Sequence, residues 1–280
     1  MTVWVLLSLA ASGLAVGFVS GLVGIGGGVL IVPLLYFFYA HPAWSGFDLA
    51  PELHAVVSHA TSLFVIVPTS MLGAWTYHRA GLVAWRAALP IAASSVVAAL
   101  AVTQVAPSVP APVLKLLFGV LLVVSGVRLL RPGGREAPGR GQTHLAMAAL
   151  SGVAVGAMSA LLGVGGGIVA IPILVYLVGL SLEKVAATSM AIIIFTALAG
   201  VAGYAAGDPG PSARLAGSVG YVHVLAGLPI LLGALAAVGL GARVNQSLGT
   251  ERLRLLFAVV FLALGLRLVV GNAAALPGLG

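Results

Sequence analysis

Long runs without a charged side chain alternate along this chain with short polar joints. Met1–Phe47 contains no Asp, Glu, Lys or Arg, and further charge-free runs cover Leu53–His78, Ala87–Leu114, Gly141–Leu182, Val185–Gly207 and Leu215–Ala242. A helical crossing of a bilayer core takes about 20 apolar residues, and most of these runs reach that length. The pattern predicts long apolar elements at Val3–Tyr39 and His144–Gly179. Ordinary helical crossings are expected at Leu53–His78, Val83–Gln104, Val113–Leu130, Leu182–Ala206, Tyr221–Gly241 and Leu253–Val270.

The pattern occurs twice. Ala15–Pro33 (AVGFVSGLVGIGGGVLIVP) and Ala154–Pro172 (AVGAMSALLGVGGGIVAIP) are identical at ten of nineteen positions, at an offset of 139. The same offset pairs Leu89-Pro90 with Leu228-Pro229, Lys115 with Arg254, Phe118 with Phe257 and Arg128 with Arg267. In between, Ala60-Thr61-Ser62 matches Ala187-Thr188-Ser189 at an offset of 127, because extra residues between Tyr36 and Leu53 are balanced by others between Tyr204 and Gly220. Such self-similarity marks a duplicated architecture. Residues 1–130 form the first transmembrane repeat and 143–280 the second. The Pro- and Gly-rich stretch 131–142 (RPGGREAPGRGQ) is expected to be a cytoplasmic linker.

Each long element is too long for one straight span: 37 residues of helix would run about 55 Å. Successive glycines at Gly24, Gly26, Gly27 and Gly28, and again at Gly163, Gly165, Gly166 and Gly167, disfavour a continued helix. A helical hairpin turning at the glycines is expected, with Pro33 and Pro172 interrupting a short second limb. The fold class is thus an all-α polytopic membrane protein, two homologous halves each with a glycine-tipped broken-helix hairpin plus three transmembrane helices.

Composition closes off other classes. Hydrophobic residues make up 61% of the chain and charged residues 7%, against about 25% charged in an ordinary soluble domain. Soluble enzymes, nucleic-acid binders and secreted disulfide scaffolds are excluded. The absence of cysteine removes thiolate catalysis, Fe–S clusters and Cys zinc sites. The N-terminus lacks a basic signal-peptide segment, so the first apolar run is expected to remain as structure. Thirteen Lys/Arg against six Asp/Glu give a formal charge of +7, read here as positive-inside bias. If each hairpin starts and ends on one side, the halves are inverted. Ten basic residues then face the cytoplasm, and three (Lys115, Arg214 and Arg267) face outward. Parallel halves give a poorer partition, so inverted repeats are expected.

Inverted repeats with broken helices suit a transporter with a midplane site. A helix starting inside the membrane offers unpaired N–H groups and the positive end of its dipole, which suits an oxyanion. The glycines can equally serve close helix packing. The paired Gly-hydrophobic-Gly-Gly-Gly segments followed by Pro, with the Ala-Thr-Ser segments after them, resemble the TauE/SafE sulfite exporter family, also called the 4-toluene sulfonate uptake permease family. The resemblance covers Leu14 to Arg267. It implies a multi-pass bacterial inner-membrane secondary transporter of sulfite, sulfonates or related organic anions.

The candidate substrate residues are the eight glycines, Thr61, Ser62, Thr188, Ser189 and His59. The four hydroxyls can donate to substrate oxygens or bond back to the i−4 carbonyl. His59 suits a proton-linked or substrate-contacting role, or a neutral packing role. Ser20 and Ser159 read as small-residue packing. No metal or cofactor is expected. The partners are a small anion and the lipid bilayer, not nucleic acid; a homo-oligomer is left open. The rival readings are a non-transporting membrane subunit and an anion channel. An enzyme is not expected: His-Glu-x-x-His is absent, and Gly17–Gly21 is one residue too long for a Gly-x-Ser-Gly loop.

Overall fold

The computed structural model describes residues 3–130, 145–180, 182–210, 215–247 and 250–273; the expected linker 131–142 lies outside them. The first half comprises α1 (Val3–Val23), α2 (Gly28–Ala40), the single turn α3 (Pro42–Ser45), α4 (His54–Arg79), α5 (Trp85–Val105) and α6 (Ala111–Leu130). The second comprises α7 (Leu145–Leu162), α8 (Gly167–Tyr176), α9 (Leu182–Ala206), α10 (Val224–Asn245) and α11 (Thr250–Ala273). A two-stranded hairpin, β1 (Ser218–Val219) with β2 (Val222–His223), precedes α10. Among the described residues six helices are long and apolar enough to cross a membrane. The chain is an all-α polytopic membrane protein.

Both predicted hairpins break at their glycines. The α1 helix stops at Gly24 (φ 75°), whose N–H donates to the Ser20 carbonyl at 2.9 Å; α7 stops at Gly163 (φ 64°), donating to Ser159 at 2.9 Å. A left-handed residue in this position is a common helix stop, and glycine adopts it without a Cβ penalty. The second limbs α2 and α8 are short, 13 and 10 residues. At 1.5 Å per residue they cover only about half to two-thirds of the hydrocarbon thickness.

Packing exchanges helices between the halves. Glycines of α1 lie against α10 in register, Gly13 at Ile230, Gly17 at Ala234 and Gly21 at Val238, so the two helices run parallel. The equivalent pair is α7 on α5, with Gly152 at Ile91 and Gly156 at Ser95. Small residues at such seams let helix backbones approach within van der Waals contact, a main source of association in lipid. By contrast, equivalent helices of the two halves pack antiparallel. Gly73 of α4 meets Met190 of α9 while Gly200 of α9 meets Leu63 of α4; Gly119 of α6 meets Gly265 of α11 while Gly126 meets Leu262. The α4 and α9 spans are the most enclosed, 72% buried each, whereas α6 is 33% buried. They form the centre, and α6 lies at the periphery.

Matching hydrogen bonds repeat the two-fold relation. Tyr77 Oη donates to the Gly21 carbonyl and Tyr204 Oη to the Ala160 carbonyl, both at 2.8 Å, bracing the ends of α1 and α7. Thr61 Oγ1 accepts the His223 N–H at 3.0 Å, and Thr188 Oγ1 accepts the Ala84 N–H at 3.1 Å. Those acceptors hold the residues that precede α10 and α5.

Candidate functional site

The two glycine tips meet. A Cβ placed on Gly28 would lie 2.6 Å from Val164 Cα, and one on Gly167 would lie 2.7 Å from the Ile25 carbonyl oxygen. The loops pass each other in antiparallel sense between α4 and α9. Gly26 and Gly165 face the same two side chains, Ile66 and Ile193, which are themselves repeat equivalents at the middle of their helices. Outward of this centre, Gly24 lies against the Ala186 backbone and Gly163 against the His59 backbone.

The helix starts at the tips are nearly identical. Gly27 (φ 82°) and Gly166 (φ 84°) cap α2 and α8. The Gly27 carbonyl accepts from Leu30 and Ile31 at 3.0 and 3.1 Å, and the Gly166 carbonyl from Val169 and Ala170 at 3.1 and 2.8 Å. The N–H groups of Gly28, Val29, Gly167 and Ile168 precede the intrahelical ladder. No cap side chain bonds either start.

Among the described residues the buried hydroxyls of Ser20, Ser58, Ser70, Ser159 and Ser189 have no hydrogen-bond partner, and Ser20 and Ser159 stand beside the glycine tips. Ser20 (1% exposed), Ser159 (0%) and Ser189 (0%) each leave Oγ unpaired. The Ser20 Oγ lies 3.5 Å from where Gly27 would carry a Cβ, and Ser159 occupies the matching place beside Gly166. A buried hydroxyl with no partner is uncommon and calls for an explanation. The donor set here is backbone N–H plus hydroxyl, the chemistry that holds an oxyanion.

The other candidate side chains divide. Thr61 and Thr188 have their oxygens engaged by the N–H groups that start α10 and α5, so both act as braces in this structure. Ser62 Oγ donates to the Gly163 carbonyl at 2.7 Å, whereas its equivalent Ser189 is unpaired. His59 is fully buried, and its Nε2 shares a hydrogen bond with Tyr36 Oη. Lys115 Nζ sits 5.3 Å from the centroid of the Tyr36 ring. Ser20 and Ser159 thus pack beside the tip glycines, as expected of small residues, while leaving their hydroxyls unpaired, and Tyr36 and Lys115 are neighbours of this region that apolar periodicity could not expose. Their only signal was Tyr36 at the head of the inserted stretch and Lys115 as a lone cation at the start of a span.

Residues 9–268 match the sulfite exporter TauE/SafE family. The chain is 27% identical over 255 residues to a probable membrane transporter protein of Methanocaldococcus jannaschii, covering 91% of each chain. It is 25% identical over 280 residues to one of Bacillus subtilis, covering 93% of this chain and 96% of the other. A third probable membrane transporter protein, from Haemophilus influenzae, is 25% identical over 272 residues, covering 96% and 99%. No solved structure matches the chain. With the family match spanning both glycine tips and both central helices, the chain belongs to the TauE/SafE sulfite exporter family.

Proposed function

We propose that this protein is an inner-membrane secondary transporter of small sulfur-containing oxyanions, sulfite or organic sulfonates. Its two halves act as inverted repeats on either side of a linker at 131–142. The observation that carries the reading is the pair of short helices whose unpaired N–H groups start at touching glycine tips, with the unpartnered hydroxyls of Ser20 and Ser159 beside them. A helix terminus contributes about 0.3–1 kcal/mol toward an anion at an exposed site and up to about 2 kcal/mol when partly buried. Two of them with hydroxyl donors reach a few kcal/mol without a buried arginine. Ile66 and Ile193 lie between the tips, so the conformation described corresponds to a closed centre. Alternating access then requires these side chains and the tips to part toward one face at a time.

The test is uptake into proteoliposomes holding the purified protein, with sulfite, thiosulfate, methanesulfonate, taurine and sulfate offered singly. Saturable uptake of at least one sulfur oxyanion is expected, with inhibition by the others. Uptake of cations and of no anion refutes the proposal.

A further inference from the structure

A pocket of about 490 Å³, open to the surface, lies at the beginnings of α4 and α6, lined among others by Pro51, Glu52, Pro107, Ser108, Pro110 and Lys115. A water occupies about 30 Å³ of liquid, so a sulfonate and several waters fit. Prolines supply much of the wall, and their fixed φ makes it stiff. The distinctive group is Lys115, half-buried, with its ammonium on the Tyr36 ring. A contact of that kind positions an ammonium while leaving its N–H donors unpaired. Among the described residues no carboxylate lies within ion-pair distance of Lys115, although the exposed Glu52 lines the same pocket.

A path of contacts leads inward from this cavity. The ring under Lys115 belongs to Tyr36, Tyr36 Oη bonds His59 Nε2, and the His59 backbone is pressed against Gly163 at the second tip. The path has no counterpart in the other half. The equivalents of Lys115, Tyr36 and His59 are Arg254, Val175 and Ala186, which supply neither hydroxyl nor imidazole. The two halves differ in these three side chains although the scaffold is duplicated.

We infer that the Lys115 cavity is an outer binding site for a small oxyanion, and that the Tyr36–His59 hydrogen bond closes the step from it to the glycine tips. This rests on the transport reading above. The ammonium collects the anion and shares its charge with the ring. Breaking the Tyr36–His59 bond lets the tyrosine swing and opens the way to Gly163. Under the inverted topology this site faces outward, the side on which Lys115 is one of only three basic residues.

The cysteine-free chain allows a direct test. Ser108→Cys places one thiol on the exposed wall of the cavity, to be labelled with an anionic sulfonatoethyl or a cationic trimethylammonium-ethyl methanethiosulfonate. Methanesulfonate is expected to slow labelling severalfold, and tetramethylammonium to leave it unchanged. Adding Lys115→Gln should remove that protection and lower the anionic-to-cationic rate ratio; Lys115→Arg should keep both. In uptake, Lys115→Gln should raise KM about tenfold, as expected for one charge-assisted contact, with the maximal rate changed less than about twofold. Tyr36→Phe should keep the protection and raise the maximal rate. Labelling of Ser108→Cys that ignores methanesulfonate, or protection that survives Lys115→Gln, overturns the outer site. If protection holds but the protein carries no sulfur oxyanion, the transport reading fails and the site stands as a binding site. If uptake is normal without protection, only the outer site fails.

Discussion

A single methyl group separates the ligand-binding and packing roles of the glycine tips. At Gly26 the backbone is left-handed (φ 79°), so Gly26→Ala incurs about 1–2 kcal/mol of backbone strain. Its Cβ would meet Ile193 Cδ1 and Cγ2 at 3.2 and 3.3 Å and Ile66 Cγ2 at 3.4 Å. Only Ile193 Cδ1 is the far end of a side chain; the two Cγ2 methyls sit on β-branched carbons that are stiff in a helix, and each has to give by no more than a few tenths of an ångström. The variant should therefore insert and purify, melting a few degrees lower, since about 1 kcal/mol moves a domain of this size by roughly 2–4 °C. The same methyl stands where an anion would approach the Gly26 and Gly165 backbone. Uptake is expected to fall about tenfold or more, a loss of at least about 1.4 kcal/mol. Gly28→Ala is the contrasting case. Its Cβ would lie 2.6 Å from Val164 Cα and 2.7 Å from the Gly163 carbonyl oxygen, both backbone atoms. The tips cannot then meet, and the protein should fail to accumulate as a monodisperse species. Proteoliposome uptake and thermal unfolding in detergent measure the two quantities. Gly26→Ala that melts slightly low yet transports at the parental rate refutes the tips as the anion site. Gly28→Ala with parental stability refutes their contact.

Hydroxyls of similar position should respond in opposite ways. Ser20→Ala or Ser159→Ala breaks no hydrogen bond and should leave the melting temperature unchanged while raising KM severalfold, up to about tenfold. Thr61→Ala strands the buried N–H of His223 and should cost about 1–3 kcal/mol of stability, and Thr188→Ala, whose partner Ala84 is part-buried, should cost less; a Thr61→Ala protein as stable as the parent contradicts the brace. For topology, single cysteines at the exposed Ala43 and at Gly210 should both react from the periplasm, with Gly133→Cys protected in intact cells. Protection at Gly210 instead would favour parallel halves. Burial pushes the His223 imidazole from its ordinary 6.5 down to about 4. The unfolded chain therefore takes up this proton first as pH falls, and stability should be complete above 6.5 and decline toward 4. Thermal unfolding from pH 7.5 to 4 should show a shallower decline in His223→Gln; equal slopes remove His223 as the cause.

Much of this architecture is legible in the amino-acid order because lipid imposes it. A run such as Leu182–Ala206 can only be a span, and its observed helix has those same limits. The break at Gly24–Gly28 is likewise local, set by consecutive glycines whose conformations no other residue shares cheaply. What escapes a linear reading is partnership. Thr61 and Ser62 stand side by side, yet one meets a backbone N–H 162 residues away and the other a carbonyl 101 residues away. Ser189 matches Ser62 in every local respect and has no partner. The link from Lys115 through Tyr36 to His59 joins three helices, and no spacing rule places those residues together.

The exchange of α1 onto α10 carries a consequence for how the protein is made. Gly13, Gly17 and Gly21 leave the ribosome early, but the backbone they press against is synthesised roughly 200 residues later, some 10–40 seconds at ordinary elongation rates. During that interval the first hairpin sits in the bilayer with its small-residue face toward lipid or toward an insertase. Neither half is a self-sufficient folding unit, because each borrows its outer wall from the other. The halves are best regarded as interlocked hands, and a break in the chain between them should be tolerated only when both pieces are present in the same membrane.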